Sequence, residues 1–284
     1  MPNFALIDAH VHFYAPERLS YPWLASVPLI NGTYLPQDFQ AASEGVDVER
    51  MVFVEVDVAS GQELDEARFI DGLAQKEEPR IGAIVVSAPI ELGAHVEPAL
   101  DALANIGRVT GVRRLIQYHS ASDYCLNPDF VAGVRLLAKY GFSFDICIRH
   151  QQLASAIELV RRCPDVNFVL DHIAKPGIAA GLREPWMKEM RAIAALPNVV
   201  CKMTGVTTEA DRQHWTLDDI RPYIEHAFDC FGFSRMLFAS DWPVMNMSSS
   251  YSQWVHLLDD VLQGVAEDDL RRFYRDNALH TYRF

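Results

Sequence analysis

Two residues with obvious chemical potential stand near the start of the chain. In Ile7-Asp8-Ala9-His10-Val11-His12, two histidines sit two apart at the end of the apolar run Phe4–Ile7. Side chains at i and i+2 of a strand share a face, so His10 and His12 are expected to project together, with Asp8 in line beneath them. Polar groups on a buried strand face are costly unless that face is used. Paired imidazoles can ligate a divalent metal or move protons.

Other apolar runs end the same way. "VFVEVD" ends in Glu55 and Asp57, and "GVRRLIQ" carries Arg113, Arg114 and Gln117. "FDICIRH" holds Asp145, Arg149 and His150; "FVLDH" ends in Asp171 and His172. "VVCKMTG" contains Lys202 and Thr204, and "LFASDWP" contains Ser240 and Asp241. Any one of these groups is explicable as a satisfied structural residue. The set, always at the end of an apolar run, is harder to explain by packing alone.

The elements that must position them come at a regular beat. Strand-like runs lie at Phe4–Ala9, Met51–Val56, Ile81–Val86, Val112–Gln117, Phe142–Ile148, Asn167–Asp171, Asn198–Met203 and Arg235–Ser240. Several are continuously apolar, as in parallel strands buried on both faces. Helical patterns separate them: Pro36–Glu44, Gln62–Lys76, Leu92–Ala104, Pro128–Lys139, Gln151–Arg162, Trp186–Leu196, Leu217–Phe228 and Ser252–Leu262, with Asp268–Leu279 last. Asn127 is placed to cap the fourth of these helices, which carries Phe130, Val134 and Leu137 at helical spacing. Strands alternating with helices over this length predict a (β/α)8 barrel. A doubly wound open sheet would more often carry a glycine-rich first turn, and "HVHFYAPERL" has no glycine. With no linker or repeat, one domain over 1–284 is the simplest organisation. In a barrel the chemistry lies at the C-terminal strand ends, where His10, His12, His172 and Asp241 would converge.

Composition narrows the partners. A formal net charge of −13 on 284 residues argues against nucleic acid and anionic membrane surfaces. A small anionic substrate is still admissible, because a few local arginines can outweigh a distant global charge. Five cysteines form no C-x-x-C pair, which fits reduced thiols. The first strand starts almost at Met1 and no apolar stretch is long enough to span a bilayer. We therefore expect no signal peptide, no membrane span and a cytoplasmic location, with a homo-oligomer left open.

The stretches "IDAHVHFYAPERLSYPWL", "GVRRLIQ", "FVLDHIAKP", "CKMTG" and "LFASDWPV" resemble the amidohydrolase superfamily. In particular they resemble its sugar lactonase branch, with the L-fucono- and L-rhamnono-lactonases and the pyrone-dicarboxylate lactonases. The motifs run in order over nearly the whole barrel. The resemblance implies an amidohydrolase-type barrel that hydrolyses a sugar lactone to an aldonic acid. It matches His10 and His12 to the first-strand pair, His172 to the sixth-strand histidine and Asp241 to the eighth-strand aspartate. The superfamily's binuclear site also uses a fourth-strand lysine and a fifth-strand histidine. This chain has no such lysine, and His150 lies past its fifth strand. One divalent metal, zinc first, or none is therefore the expectation.

Ester hydrolysis needs an activated water, a polarised carbonyl and a proton for the leaving alkoxide. Asp241 is assigned the water's proton, with desolvation expected to raise its pKa. His172 polarises the carbonyl or holds metal, and Arg113 clamps the lactone oxygen, with an acid partner as the structural alternative. Arg114 should point to the strand's other side. Metal candidates are His10, His12, Glu55, His172 and Asp241. Tyr21, Trp23 and Trp242 are candidates to stack on a sugar ring, and Lys202 to bind substrate. Lys175 leans to a structural role, and Asp171 is expected to turn away from the site. Rival readings are a metal-dependent decarboxylase of an aromatic acid and a non-catalytic sugar-binding barrel.

Overall fold

The computed structural model describes residues 3–284. Eight parallel strands pair in chain order into one sheet. They are β1 Leu6–Val11, β2 Val48–Val54, β3 Ile81–Ser87, β4 Val109–Leu115, β5 Ser143–Cys147, β6 Phe168–Leu170, β7 Val199–Met203 and β8 Met236–Phe238. The barrel closes at its mouth, where the Asp241 amide donates to the His10 carbonyl and the His12 amide to that of Trp242. Lower on the same seam, the Asp8 carboxylate accepts from the Ser240 amide at 2.9 Å.

Alternation sorts each strand into two faces. Val52, Val54, Ala83, Val85, Val169 and Leu237 fill the lumen together with Ile7 and Ala9. Met51, Phe53, Ile84, Phe168 and Phe238 face outward under the helices. Those helices are α1 Pro36–Ala42, α2 Glu63–Lys76, α3 Glu97–Ala104, α4 Pro128–Tyr140, α5 Leu153–Arg162, α6 Trp186–Ala194, α7 Val206–Glu209, α8 Leu217–Phe231 and α9 Tyr251–Val261. α4 forms as its sequence dictates. Asn127 accepts from the Asp129 amide at 3.0 Å, Phe130, Val134 and Leu137 are buried, and Gly141 ends the helix at φ 68°.

The final segment is not the single helix that its pattern suggests. α10 Glu267–Arg271 runs through a π-helical turn, Arg272–Asp276, into α11 Asn277–Tyr282. α11 brings Ala278 and Tyr282 into the lumen cluster, and Phe284 packs against it. No helix among the described residues is long and apolar enough to cross a membrane.

Candidate active site

β1 does not alternate along its whole length. Asp8 pairs with Met51 and Val11 with Phe53, three steps on one strand against two on the other. This bulge changes the facing of everything beyond it. Ile7 and Ala9 face the lumen, and so do His10 and His12. Asp8 therefore lies on the opposite face from the histidines, not in line beneath them. Its carboxylate ties the seam, accepting from the Ser240 amide and from the Tyr251 hydroxyl at 3.0 Å.

The imidazoles meet at the mouth. His10 Nε2 lies 3.2 Å from His12 Nε2, and His12 Nε2 lies 3.1 Å from Asp241 Oδ1. His172 Nδ1 lies 3.8 Å from Asp241 Oδ2. A run of left-handed residues delivers His172: φ is 54°, 45°, 62° and 48° at His172, Ile173, Ala174 and Lys175. Each costs about 1–2 kcal/mol in an L-residue. The turn is held by Trp186 Nε1–H donating to the Ile173 carbonyl at 2.8 Å and the Lys175 amide donating to His172 at 2.8 Å.

Electrostatics differ from the sequence expectation at Asp241. Burial pushes its pKa up, but His172 and the His12 hydrogen bond outweigh that and hold it below the ordinary carboxylate value. Burial keeps His172 well below the usual histidine range, so it stands neutral. Burial, and then the charge of Lys202, do the same to His10.

Several candidates sit elsewhere than expected. Glu55 stands outside both convergent clusters of metal-ligating side chains, His10–His12–Asp241 and His10–Asp171–His172. Its Oε1 accepts from Arg113 Nε at 2.6 Å, and its Oε2 from the Asp57 amide at 2.6 Å. Arg113 lines the cavity, yet its guanidinium is engaged by Glu55 on two nitrogens and lies 3.2 Å from His10 Nε2. It holds neighbours in place rather than standing free as a clamp. Arg114 pairs with Glu91. Lys202 is fully buried below the mouth, bonded to Asp145 at 2.6 Å. Tyr21 is buried against Tyr14. Trp242 turns outward onto Phe39 and Phe13, because Asp241 at φ 64° has left strand geometry. Asp171 faces inward, two residues on from lumen-facing Val169, within 3.1 Å of Lys202.

Above this floor opens a cavity of about 410 Å³, within the range of small-molecule sites. Trp23, Asp57, Gln117, Tyr118, Arg149, Lys175 and Arg212 line it with His12, His172 and Asp241. Lys175 reaches Gln117 Oε1 at 2.6 Å. Arg212 and Tyr118 lie on loops with no periodicity to signal them, whereas Arg149 lies just past the end of β5.

Hydrogen-bond accounting tests whether a metal fits. His12 Nδ1 lies 2.8 Å from the Val54 carbonyl, which requires a proton on that nitrogen. With Nδ1 used in this way, Nε2 is left facing an ionised carboxylate and His10 Nε2. Acceptors this close call for a cation between them. His172 Nδ1, buried and without a hydrogen-bond partner among the described residues, stands beside them. This donor set fits one divalent ion. Arg113 at 3.2 Å and Lys202 at 3.3 Å flank the two nitrogens of His10, which disfavours a second.

A family model described as amidohydrolase matches residues 7–284. The chain belongs to the amidohydrolase family. Among its relatives, an L-fucono-1,5-lactonase of Burkholderia ambifaria is 29% identical over 98% of this chain and 95% of its own. An L-rhamnono-gamma-lactonase of Scheffersomyces stipitis is 25% identical over 99% of both. A crystal structure of a Burkholderia multivorans amidohydrolase with bound zinc superposes at a TM-score of 0.85, with 27% identity, over 99% of this chain and all of that one.

Proposed function

We propose that this amidohydrolase opens a sugar-derived lactone, of the L-fucono- or L-rhamnono- type or a related aldonolactone, to the aldonic acid. The observation that carries the reading is Asp241: an ionised carboxylate between two imidazoles, on the floor of a cavity sized for a small molecule. The lactonase names of full-length relatives support it.

Asp241 takes a proton from water as the oxygen attacks the lactone carbonyl carbon. Neutral His172 has one N–H to offer the developing oxyanion. As the ring C–O bond breaks, Asp241 returns the proton to the leaving ring oxygen, so water is divided between carbonyl carbon and alkoxide. A divalent ion held by His10, His12 and Asp241, with His172 beside them, would supply Lewis acidity and a more acidic water. Lys175 and Gln117 offer donors to substrate hydroxyls, and Trp23 a flat apolar wall.

The test is acid release from freshly made L-fucono-, L-rhamnono- and L-galactono-lactones, against spontaneous hydrolysis, before and after chelation. Turnover should be fast, and Asp241→Asn should lower kcat by about 10²-fold or more. Near-normal turnover in a folded Asp241→Asn protein removes the proposed base. Carbon dioxide release from an aromatic acid, without lactone turnover, would transfer the site to decarboxylation.

A further inference from the structure

The lower lumen contains a feature that ester hydrolysis does not by itself explain. Amid layers of valine and alanine, β5 and β7 place Asp145 and Lys202, both fully buried. Lys202 Nζ lies 2.6 Å from Asp145 Oδ2 and 3.1 Å from Asp171 Oδ1. Asp171 Oδ1 in turn lies 3.4 Å from His10 Nδ1. From the opposite end of the barrel, α11 inserts Tyr282, whose hydroxyl donates to Asp145 Oδ2 at 3.2 Å. Its ring also lies under the ammonium, 5.6 Å from Nζ.

A buried ion pair is a poor stability device, since well-packed apolar residues in its place often do as well or better. What this one does reach is the catalytic floor. Arginine only donates, so Arg113 at 3.2 Å requires His10 Nε2 to be the acceptor. Lys202 Nζ, also a donor only, lies 3.3 Å from Nδ1. The acceptor within reach of a proton on Nδ1 is therefore Asp171 Oδ1 at 3.4 Å, and it serves only while Lys202 is held by its own carboxylate partners. Asp171 can hold that proton only while its carboxylate is pinned, and Lys202 and Arg113 pin it.

We propose that Tyr282 and Asp145 are positioning residues, through which the C-terminal helix, by way of Lys202 and Asp171, fixes the ring orientation and tautomer of His10. The end of the chain is thus part of the active-site assembly, as well as the plug of the barrel floor. The inference rests on the mouth being the reaction site, and its decisive readout needs no substrate.

Tyr282→Phe keeps the ring, the packing and the cation–π contact and removes one donor. The measurement is ¹⁵N NMR of ring-labelled histidines, with His10 assigned by His10→Gln, alongside zinc affinity by chelator competition and lactone kinetics. The native His10 should show a protonated Nδ1 and a bare Nε2. In Tyr282→Phe those signals should move towards a tautomer mixture. Zinc affinity and kcat should fall about two- to tenfold, the worth of one hydrogen bond, with KM little changed. Asp145→Asn should act the same way, and the double variant should lose less than the product of the two. Phe284→Ala disturbs the tail without touching the network, so it should lower Tm and leave the His10 signals in place. Unchanged His10 signals and zinc affinity in a folded Tyr282→Phe protein would reduce the C-terminal helix to a plug. So would equal shifts in Phe284→Ala. Absent lactone turnover with shifted His10 signals would overturn the substrate reading and leave the positioning role standing.

Discussion

Gly205 shows how narrowly a single residue constrains the mouth. It has φ +74°, and a Cβ placed there would meet His172 Cβ at 2.8 Å, closer than van der Waals contact allows. His172 is itself in a left-handed turn and has no slack in which to withdraw. Gly205→Ala should cost about 1–3 kcal/mol of stability from backbone strain and overpacking. It should also lower kcat more than KM, because the displaced group is the proposed oxyanion donor. Chemical denaturation and steady-state kinetics on the same protein check both; a variant of native stability and activity would mean that His172 moves freely. Asp241, as the proposed base, should set the pH dependence. Its pKa is depressed, so it is ionised, and able to accept a proton, everywhere above the ordinary aspartate value of about 3.9. It loses that ability only as pH falls through its own lower pKa. kcat/KM should thus hold level down to about pH 4 before its acid limb begins. An acid limb centred two units higher would assign the base to another group.

At the scale of elements, helix α2 carries a further buried carboxylate, Glu66, beneath the end of β2. Its Oε1 accepts from the Val56 amide at 3.3 Å. Burial, and then the negative charge of Glu55, push its pKa well above the usual glutamate value. The folded state therefore favours the protonated acid. Its contribution to stability is complete below the unfolded pKa of about 4.3 and is lost as pH rises through the folded value. Glu66→Gln keeps the acceptor without the charge, so at pH 8 it should be more stable than the parent by about 1–3 kcal/mol. That gap should close in acid; denaturant titrations at pH 5 and pH 8 measure it, and a gap that widened in acid would reverse the argument. The elements also show what the sequence could convey. The strand beat, the caps of α4 and the positions of His10, His12, His172 and Asp241 at strand ends were all legible, because each follows from local periodicity. The facing of Asp8 was not, since nothing in "IDAHVH" announces a bulge. Trp242 lies beyond its strand, where alternation no longer applies, so its outward turn was not legible. Glu55 and Lys202 found partners on strands far away in sequence, and Tyr282 reached the lumen through a π-helical turn that helical spacing does not reveal.

At the scale of the whole molecule, the site exists only when the barrel is closed. His12 and Asp241 are 229 positions apart in sequence and 3.1 Å apart in space. The unfolded chain has no reason to bring them together, so a divalent ion that uses both binds the native state alone. Such binding must stabilise the fold, by about 2.7 kcal/mol when the free ion is at one hundred times its Kd. For a chain of this length each kcal/mol corresponds to roughly 2–4 °C. Zinc should therefore raise Tm by several degrees and chelation should reverse it. The increase should vanish in His12→Ala and Asp241→Ala, whose ligands are lost. It should survive in Glu55→Gln, because Glu55 holds Arg113 and takes no place in the donor set. Separating that last variant from the first two distinguishes a four-residue site at the ends of β1, β6 and β8 from a wider one that reaches past β2. A zinc-induced rise that persists in His12→Ala would show that the ion binds elsewhere, and the lone pairs at the mouth would then be bridged by a proton.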